Sequence, residues 1–510
     1  MSIPVFLLWL VSIPLIIHAA VPLPSKAILL SCGSAGETKD GGLTYLPDDA
    51  FITIGNKSTL NQPDLHPTLS ALRYFPDASA RKYCYVLPAV KGGRYLVKTT
   101  YFFGGLNGAK EPPVFYQIID GMRWSIVNTT EDYAKGLSSY YEVVVQAQGR
   151  TLSLCLARSE PSAGDPFIST IEMHNLDSSV YNSTDFSKYA LATVARSSFG
   201  SNGDIVGFPE DPFNRFWQPF TDANPAVETR SNITPSDFWN LPPAKALSSA
   251  ITTSKGKTLS LKWPPFPLPK TDYYVALYFQ DNRGPSPFSW RVFNVSVNGK
   301  QFYAEVNVST SGVTIYSAQW PLAGETEIAL TPSGETSVGP LINAGEIFQI
   351  VSIGGRTHTR DVSALEKLKK RFTNPPADWN GDPCLPEGNS WTGVTCSSKG
   401  KYARVTALNL TGMGIAGSLF HTVDRLSALN TLWLGRNKLS GQLPNMGGLK
   451  SLQTLHLEGN QFQGPIPESL GQLPQLREVF LQDNNLSGII PESLKKPGLD
   501  LRVSPGNHLS

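Results

Sequence analysis

Charge is scarce in this sequence. Only 16% of its 510 residues are charged, and 43 Lys and Arg nearly cancel 41 Asp and Glu, leaving a formal +2. So even a balance excludes a nucleic-acid-binding stripe, and the one basic cluster, Lys367, Lys369, Lys370 and Arg371, reads as the solvated face of a helix. Seven histidines lie scattered without metal-ligand spacing, and no Cys-X-X-Cys occurs. The G-x-S-x-G elbow and the H-E-x-x-H helix are absent. Gly256-Lys257-Thr258 ends like a phosphate loop, but Ile251 stands where its first glycine belongs. Among 41 acidic residues some pair always has the separation a glycosidase needs, so acids alone assign nothing. The expectation is a non-enzymatic chain with no cofactor and no metal.

Long apolar runs are equally few. The one at the N-terminus, Val5 to Ile17, is broken by Pro14 and followed by Ala19, Ala20, Pro22 and Pro24. That is signal-peptide anatomy over residues 1–20, and it is short against the roughly 20 residues of a membrane-spanning helix. A secreted chain without a membrane span is expected; an uncleaved N-terminal anchor is the alternative, since no Lys or Arg precedes the run. Eight Asn-X-Ser/Thr sequons, at Asn56, Asn128, Asn182, Asn232, Asn294, Asn307, Asn409 and Asn485, fit that route. Cysteine is limited to five. Cys384 and Cys396 are expected to pair, while Cys32, Cys84 and Cys155 allow three alternative bridges and leave one thiol over.

What is abundant is turn and ring: 40 prolines, 44 glycines and 10% aromatics, a strand-rich composition. The length calls for two or three domains. Near the C-terminus "LNTLWLGRNKLSGQLP", "LQTLHLEGNQFQGPIP" and "LREVFLQDNNLSGIIP" begin at Leu429, Leu452 and Leu476, with Asn437, Asn460 and Asn484 in register. "VTALNLTGMGIAGSL" fits the same frame, with Met413 replacing the asparagine. Units this short bury their leucines only by stacking, so residues 397–503 read as a leucine-rich-repeat solenoid of about four units and a partial fifth. Residues 353–396, with Leu365, Leu368 and Phe372 on one helix face and Trp379 and Trp391 around the Cys384 to Cys396 loop, read as its linker helix and N-terminal cap. In each L-x-L strand the middle residue points outward. That selects the column Asn409, Trp433, His456, Phe480, flanked by Glu458 and Gln482, as a protein-binding strip whose bland alternative is mutual stacking.

The preceding 350 residues repeat one layout. "YLVKTTYFFGG" and "VFYQIIDGMRWSIV" in the first half match "YYVALYFQD" and "RVFNVSVNGKQFYAEV" in the second, with Asp120-Gly121 and Asn298-Gly299 as tight hairpin turns. Two tandem β-sandwiches are expected within 27–352, at about 27–176 and 190–352.

"ILLSCG", "RKYCYVLP", the paired hairpins, "PFISTIEM" and "PLINAGEI" resemble the tandem malectin-like domain of plant receptor-like kinases. "WNGDPCLP" with "WTGVTC" resembles the junction to their short leucine-rich repeats, and the whole looks like the kinase-less, malectin-like (di-glucose-binding) leucine-rich-repeat proteins of plants. The resemblance implies a mainly β protein that binds carbohydrate through stacked rings and planar polar groups. Loop-proximal candidates are Tyr101, Phe102, Phe103, Tyr116 and Trp124, then Tyr278, Phe279, Asp281 and Trp290; most lie on or beside predicted strands, where a core position is the commoner reading. The function expected is recognition in the apoplast or cell wall: a cell-wall oligosaccharide or secreted peptide on the malectin-like part, and a partner such as a membrane receptor kinase on the repeats. A membrane-associated receptor-like protein and a wall-crosslinking structural protein are the alternatives.

Overall fold

The computed structural model describes residues 27–160, 164–334 and 336–510, and the signal-peptide segment lies outside them. The described chain is mainly β, with a malectin-like part followed by a solenoid. No helix in it is long and apolar enough to cross a membrane.

Both halves of the malectin-like part contribute to one eleven-stranded sheet. Its middle runs Thr170–Asn175, Arg94–Tyr101, Ser139–Gln146, Tyr189–Phe199, Ala344–Ser352, Leu268–Phe279, and the crossing between halves is the Ser139–Gln146 to Tyr189–Phe199 pair. Each half then covers its part of this sheet with a four-stranded sheet of its own. The first is ordered Tyr83–Pro88, Thr151–Arg158, Phe115–Ile119, Met122–Val127, and the second Leu259–Lys262, Glu327–Pro332, Arg291–Val297, Lys300–Val308. Two apolar cores fill these sandwiches, one around Tyr101, Phe115 and Phe167, the other around Trp263, Phe279 and Phe293. A third, around Trp217, Tyr274 and Phe348, lies under the segment that runs from Leu176 to Leu247.

The two outer-sheet hairpins turn on the same chemistry. Asp120 and Gly121 have φ of 44° and 82°, Asn298 and Gly299 φ of 50° and 72°, the left-handed pair that a two-residue turn demands. In each, the side-chain oxygen of the first turn residue accepts from the neighbouring strand: Asp120 Oδ1 from the Ser153 N–H at 2.8 Å, Asn298 Oδ1 from the Glu327 N–H at 2.8 Å. Burial pushes the Asp120 carboxyl up to about 6.

In the solenoid the strands Tyr402–Asn409, Thr431–Trp433, Thr454–His456, Glu478–Phe480 and Asp500–Arg502 run parallel along one face. Behind them the asparagines form a ladder. Asn437 Nδ2 donates to the Leu410 carbonyl at 2.8 Å, Asn460 to Leu434 at 2.9 Å and Asn484 to Leu457 at 3.0 Å, so each unit satisfies backbone groups of the unit before it. Asn507 adds a further rung, donating to Leu481 O at 2.8 Å, and makes the tail a folded unit more than a fragment.

Cys384 is bonded to Cys396 in the cap, and of the three early cysteines Cys84 and Cys155 are joined across neighbouring strands, leaving Cys32 buried and free. Gly381 of the cap abuts that first disulfide: a Cβ there would lie 3.2 Å from both sulfurs. The cap thus docks against the first half. Lys82 is wholly buried between them, its ammonium donating to the carbonyls of Asp382 at 2.5 Å and Leu385 at 2.8 Å. Burial lowers its pKa to about 8 despite the nearby Asp382 and Asp378. Arg81 donates its N–H to Asp378 Oδ2 at 3.1 Å, and Arg123 reaches Asn389 Oδ1 at 3.0 Å.

Candidate recognition sites

On the solenoid's inner sheet the register sets Asn409 beside Trp433, Trp433 beside His456, His456 beside Phe480 and Phe480 beside Arg502. The three rings stack face to face. Trp433 and His456 lie 4.8 Å apart and 1° from parallel, His456 and Phe480 4.2 Å apart and 10° from parallel. The Arg502 guanidinium closes the stack 4.2 Å from the Phe480 ring. Trp433 Nε1 donates to Thr454 Oγ1 at 2.8 Å and His456 Nε2 faces Glu478 Oε2 at 3.2 Å, fixing the ring planes. All three residues are half-buried, the His456 side chain being 16% exposed. In the adjoining column Glu458 folds across Gly435, where any Cβ would meet its carboxylate oxygen at 2.3 Å. Glu458 Oε2 and Gln482 Oε1 are enclosed acceptors with no hydrogen-bond donor among the described residues. Asn409, the sequon at the head of the ring column, is exposed.

The carbohydrate candidates fall differently. Tyr101, Phe102, Phe103, Trp124, Tyr278, Phe279 and Asp281 are all buried, so none of them presents a ring face or a carboxylate to solution. Tyr101 gives its hydroxyl to Gln117 Oε1 at 2.9 Å, and Phe103 packs on Phe167. Tyr278 donates to Glu346 Oε2 at 2.5 Å, and Phe279 packs on Phe293. Asp281 is held by Arg283 and Arg291 at 2.8 and 3.0 Å, which keeps its pKa low against burial. Tyr101, Trp124 and Phe279 face inward from strands that a second sheet covers, Tyr278 belongs to the core under residues 176–247, and Phe102, Phe103 and Asp281 are buried just past strand ends, placements local alternation alone does not reveal. Two candidates reach the surface: Tyr116, half-buried with the Arg123 guanidinium 3.8 Å over its ring, and Trp290, 38% exposed on the loop that also carries Phe288 at 67%.

Sequence reading missed a cleft of about 850 Å³ between the two halves. One wall is Arg123–Ile126, the other Trp263–Phe266, and the floor is the shared sheet at residues 192–197 with Gln349. Buried charge ties the two halves together beneath it. Arg196 bridges the halves, Nη1 to Glu142 Oε2 at 2.5 Å and Nε to Glu346 Oε1 at 2.7 Å, all three side chains being at most 1% exposed. Tyr181 donates a further bond to Glu346 at 2.6 Å. The signal that could have pointed here is the run "WPPFPLP", too proline-rich for a core strand and too apolar for an ordinary loop.

Sandwiches that share one sheet and carry a capped short solenoid define an ectodomain-type architecture, and the Malectin-like domain family matches residues 30–350. The chain belongs to that family. A leucine-rich-repeat N-terminal domain matches 358–397, and leucine-rich repeats match 451–473 and 475–497. Among relatives in Arabidopsis thaliana, the LRR receptor-like serine/threonine-protein kinase At1g67720 is 29% identical over 487 residues, covering 88% of this chain and 50% of its own. Receptor-like protein kinase At3g21340 is 28% identical, covering 79% of this chain and 46% of its own. The chain spans about half the length of the curated relatives it matches. The fold is shared with the ANX2 ectodomain (TM-score 0.51, 18% identity, 64% of this chain and 96% of that one) and with a complex of plant peptide RALF23, FER and LLG2 (TM-score 0.52, 21% identity, 64% and 96%).

Proposed function

We propose that this is a non-enzymatic recognition protein of the plant cell wall or apoplast, secreted by its N-terminal segment. Its malectin-like part receives a secreted peptide or a cell-wall oligosaccharide, and its repeats dock a protein partner such as the ectodomain of a membrane receptor kinase. The observation that carries the reading is the Trp433, His456, Phe480, Arg502 stack. Three half-buried rings in one plane-parallel row form a preorganised aromatic strip on the solenoid's inner sheet. Within the malectin-like part a peptide is favoured over a sugar, because seven of the nine sugar candidates are enclosed. The RALF23 complex formed by a protein of the same fold gives that preference a precedent.

Calorimetry of the glycosylated chain against a panel of cell-wall oligosaccharides and of secreted peptides tests the ligand. Saturable binding of either class supports recognition by the malectin-like part. Silence from both classes contradicts it.

A further inference from the structure

The wall Arg123–Ile126 meets the cleft edge-on. Side chains on a regular strand alternate between faces; here a bulge at Trp124, between the pairs Gln117 with Ser125 and Ile118 with Arg123, breaks the alternation and brings four consecutive residues to the cavity. Met122–Val127 is the end strand of its sheet: Phe115–Ile119 pairs with one side, and among the described residues no strand pairs with the other. An unpaired edge is a row of backbone donors and acceptors, usually blunted by charge, proline or a covering element. Here Trp263, Pro264, Pro265 and Phe266 stand opposite, beyond the end strand of the second half's outer sheet. The edge is screened from another sheet yet open to a single chain.

The floor supports the same occupant. The strands Ser139–Gln146 and Tyr189–Phe199 share only the pairs Val143 with Ala192 and Val144 with Leu191, and past them Tyr189–Phe199 bulges at Thr193/Ala195 in its pairing with Ala344–Ser352. The lining is apolar where a peptide's side chains would fall, with Ile126 53% exposed and Phe266 46% exposed. Of its charged residues Glu142 and Arg196 are paired with one another, while Arg123 at the rim lies over Tyr116 and donates to Asn389 Oδ1 of the cap at 3.0 Å, with no ion pair among the described residues. No asparagine lies in the lining itself, and the sequon Asn128 is exposed just past the end of the strand.

Resting on the reading that the malectin-like part binds a ligand, we propose that this ligand is an extended peptide which adds to the free edge of Met122–Val127 as a fifth strand, its alternate apolar side chains against Ile126 and Phe266 and a carboxylate on Arg123. Main-chain bonds to the edge supply affinity, and the pockets for alternate side chains supply selection.

The test pans a displayed library of random twelve-residue peptides on the glycosylated full chain. Enriched sequences should alternate apolar residues and carry an acid, and binding should slow amide hydrogen exchange in residues 122–127. Single N-methylation along an enriched peptide should weaken binding at least tenfold at every second position and little between. Arg123→Glu and Phe266→Ala should each weaken binding about tenfold. A library that yields no binder, or binders indifferent to both substitutions, overturns the proposal. So does a peptide whose N-methyl scan lacks the two-residue period. An oligosaccharide that shields residues 122–127 in place of any peptide also overturns it, while leaving the broader recognition reading standing.

Discussion

The imidazole of His456 lies parallel to the indole of Trp433, 4.8 Å between centroids and 1° between planes. Residues two strands apart in the same column, Trp433 and Phe480, therefore sandwich one histidine, with Arg502 as the outer plate. Such stacks are worth about 0.5–1.5 kcal/mol per pair, too little to hold up a solenoid whose leucines are fully buried.

It follows that Trp433→Ala together with Phe480→Ala should remove partner binding and lower solenoid stability by no more than about 3 kcal/mol. Thermal melts and partner capture on the same preparations read both quantities. A variant that fails to fold would make the rings packing elements.

Asp120 and Asn298 occupy equivalent turns, but only the former titrates. With its folded pKa raised to about 6, Asp120 holds a proton between pH 4 and 6 that the unfolded chain has released, so its contribution to stability falls as pH rises through that window. Asp120→Asn should keep the bond to the Ser153 N–H, raise stability at pH 7 by roughly 1–3 kcal/mol and flatten the pH profile from 4 to 6. Denaturant titrations of the two proteins at pH 4, 5, 6 and 7 measure it.

Arg196 joins the halves through Glu142 and Glu346. Arg196→Met leaves two buried carboxylates without their cation, at a cost of about 3–5 kcal/mol. The loss should appear as earlier unfolding of the malectin-like part and faster proteolysis between the halves, with the repeats unaffected.

Asn507→Ala removes the last rung, leaving the Leu481 carbonyl and the Leu486 N–H without their side-chain partner. A loss of about 1–3 kcal/mol is expected, confined to residues near the C-terminus. Hydrogen exchange should quicken in the Asp500–Arg502 strand and leave Thr431–Trp433 unchanged.

How much of this is legible in the sequence depends on how local the cause is. The leucine comb, the asparagine ladder and the Asp120 and Asn298 turns arise from residues within one unit, and they read directly. Asn507 stands one repeat beyond Asn484 and was open to the same spacing argument. The joining of two sandwiches through one sheet depends on a two-pair contact between Ser139–Gln146 and Tyr189–Phe199, which no short-range pattern encodes. Tyr101 and Tyr278 lie on strands, where a core position is the ordinary reading of an aromatic, and their hydroxyls are satisfied by Gln117 and Glu346, partners that no local pattern names. The cleft, too, exists only once both halves are assembled.

The central claim is that one chain recognises two different things on two separated surfaces. Its most direct test is capture of binding components from plant cell-wall and membrane extracts by the intact chain, by Trp433→Ala with Phe480→Ala, and by Arg123→Glu with Phe266→Ala. The account predicts that the first pair of substitutions loses a protein partner while retaining the ligand of the malectin-like part, and that the second pair does the reverse. Identical captures from all three proteins would contradict it.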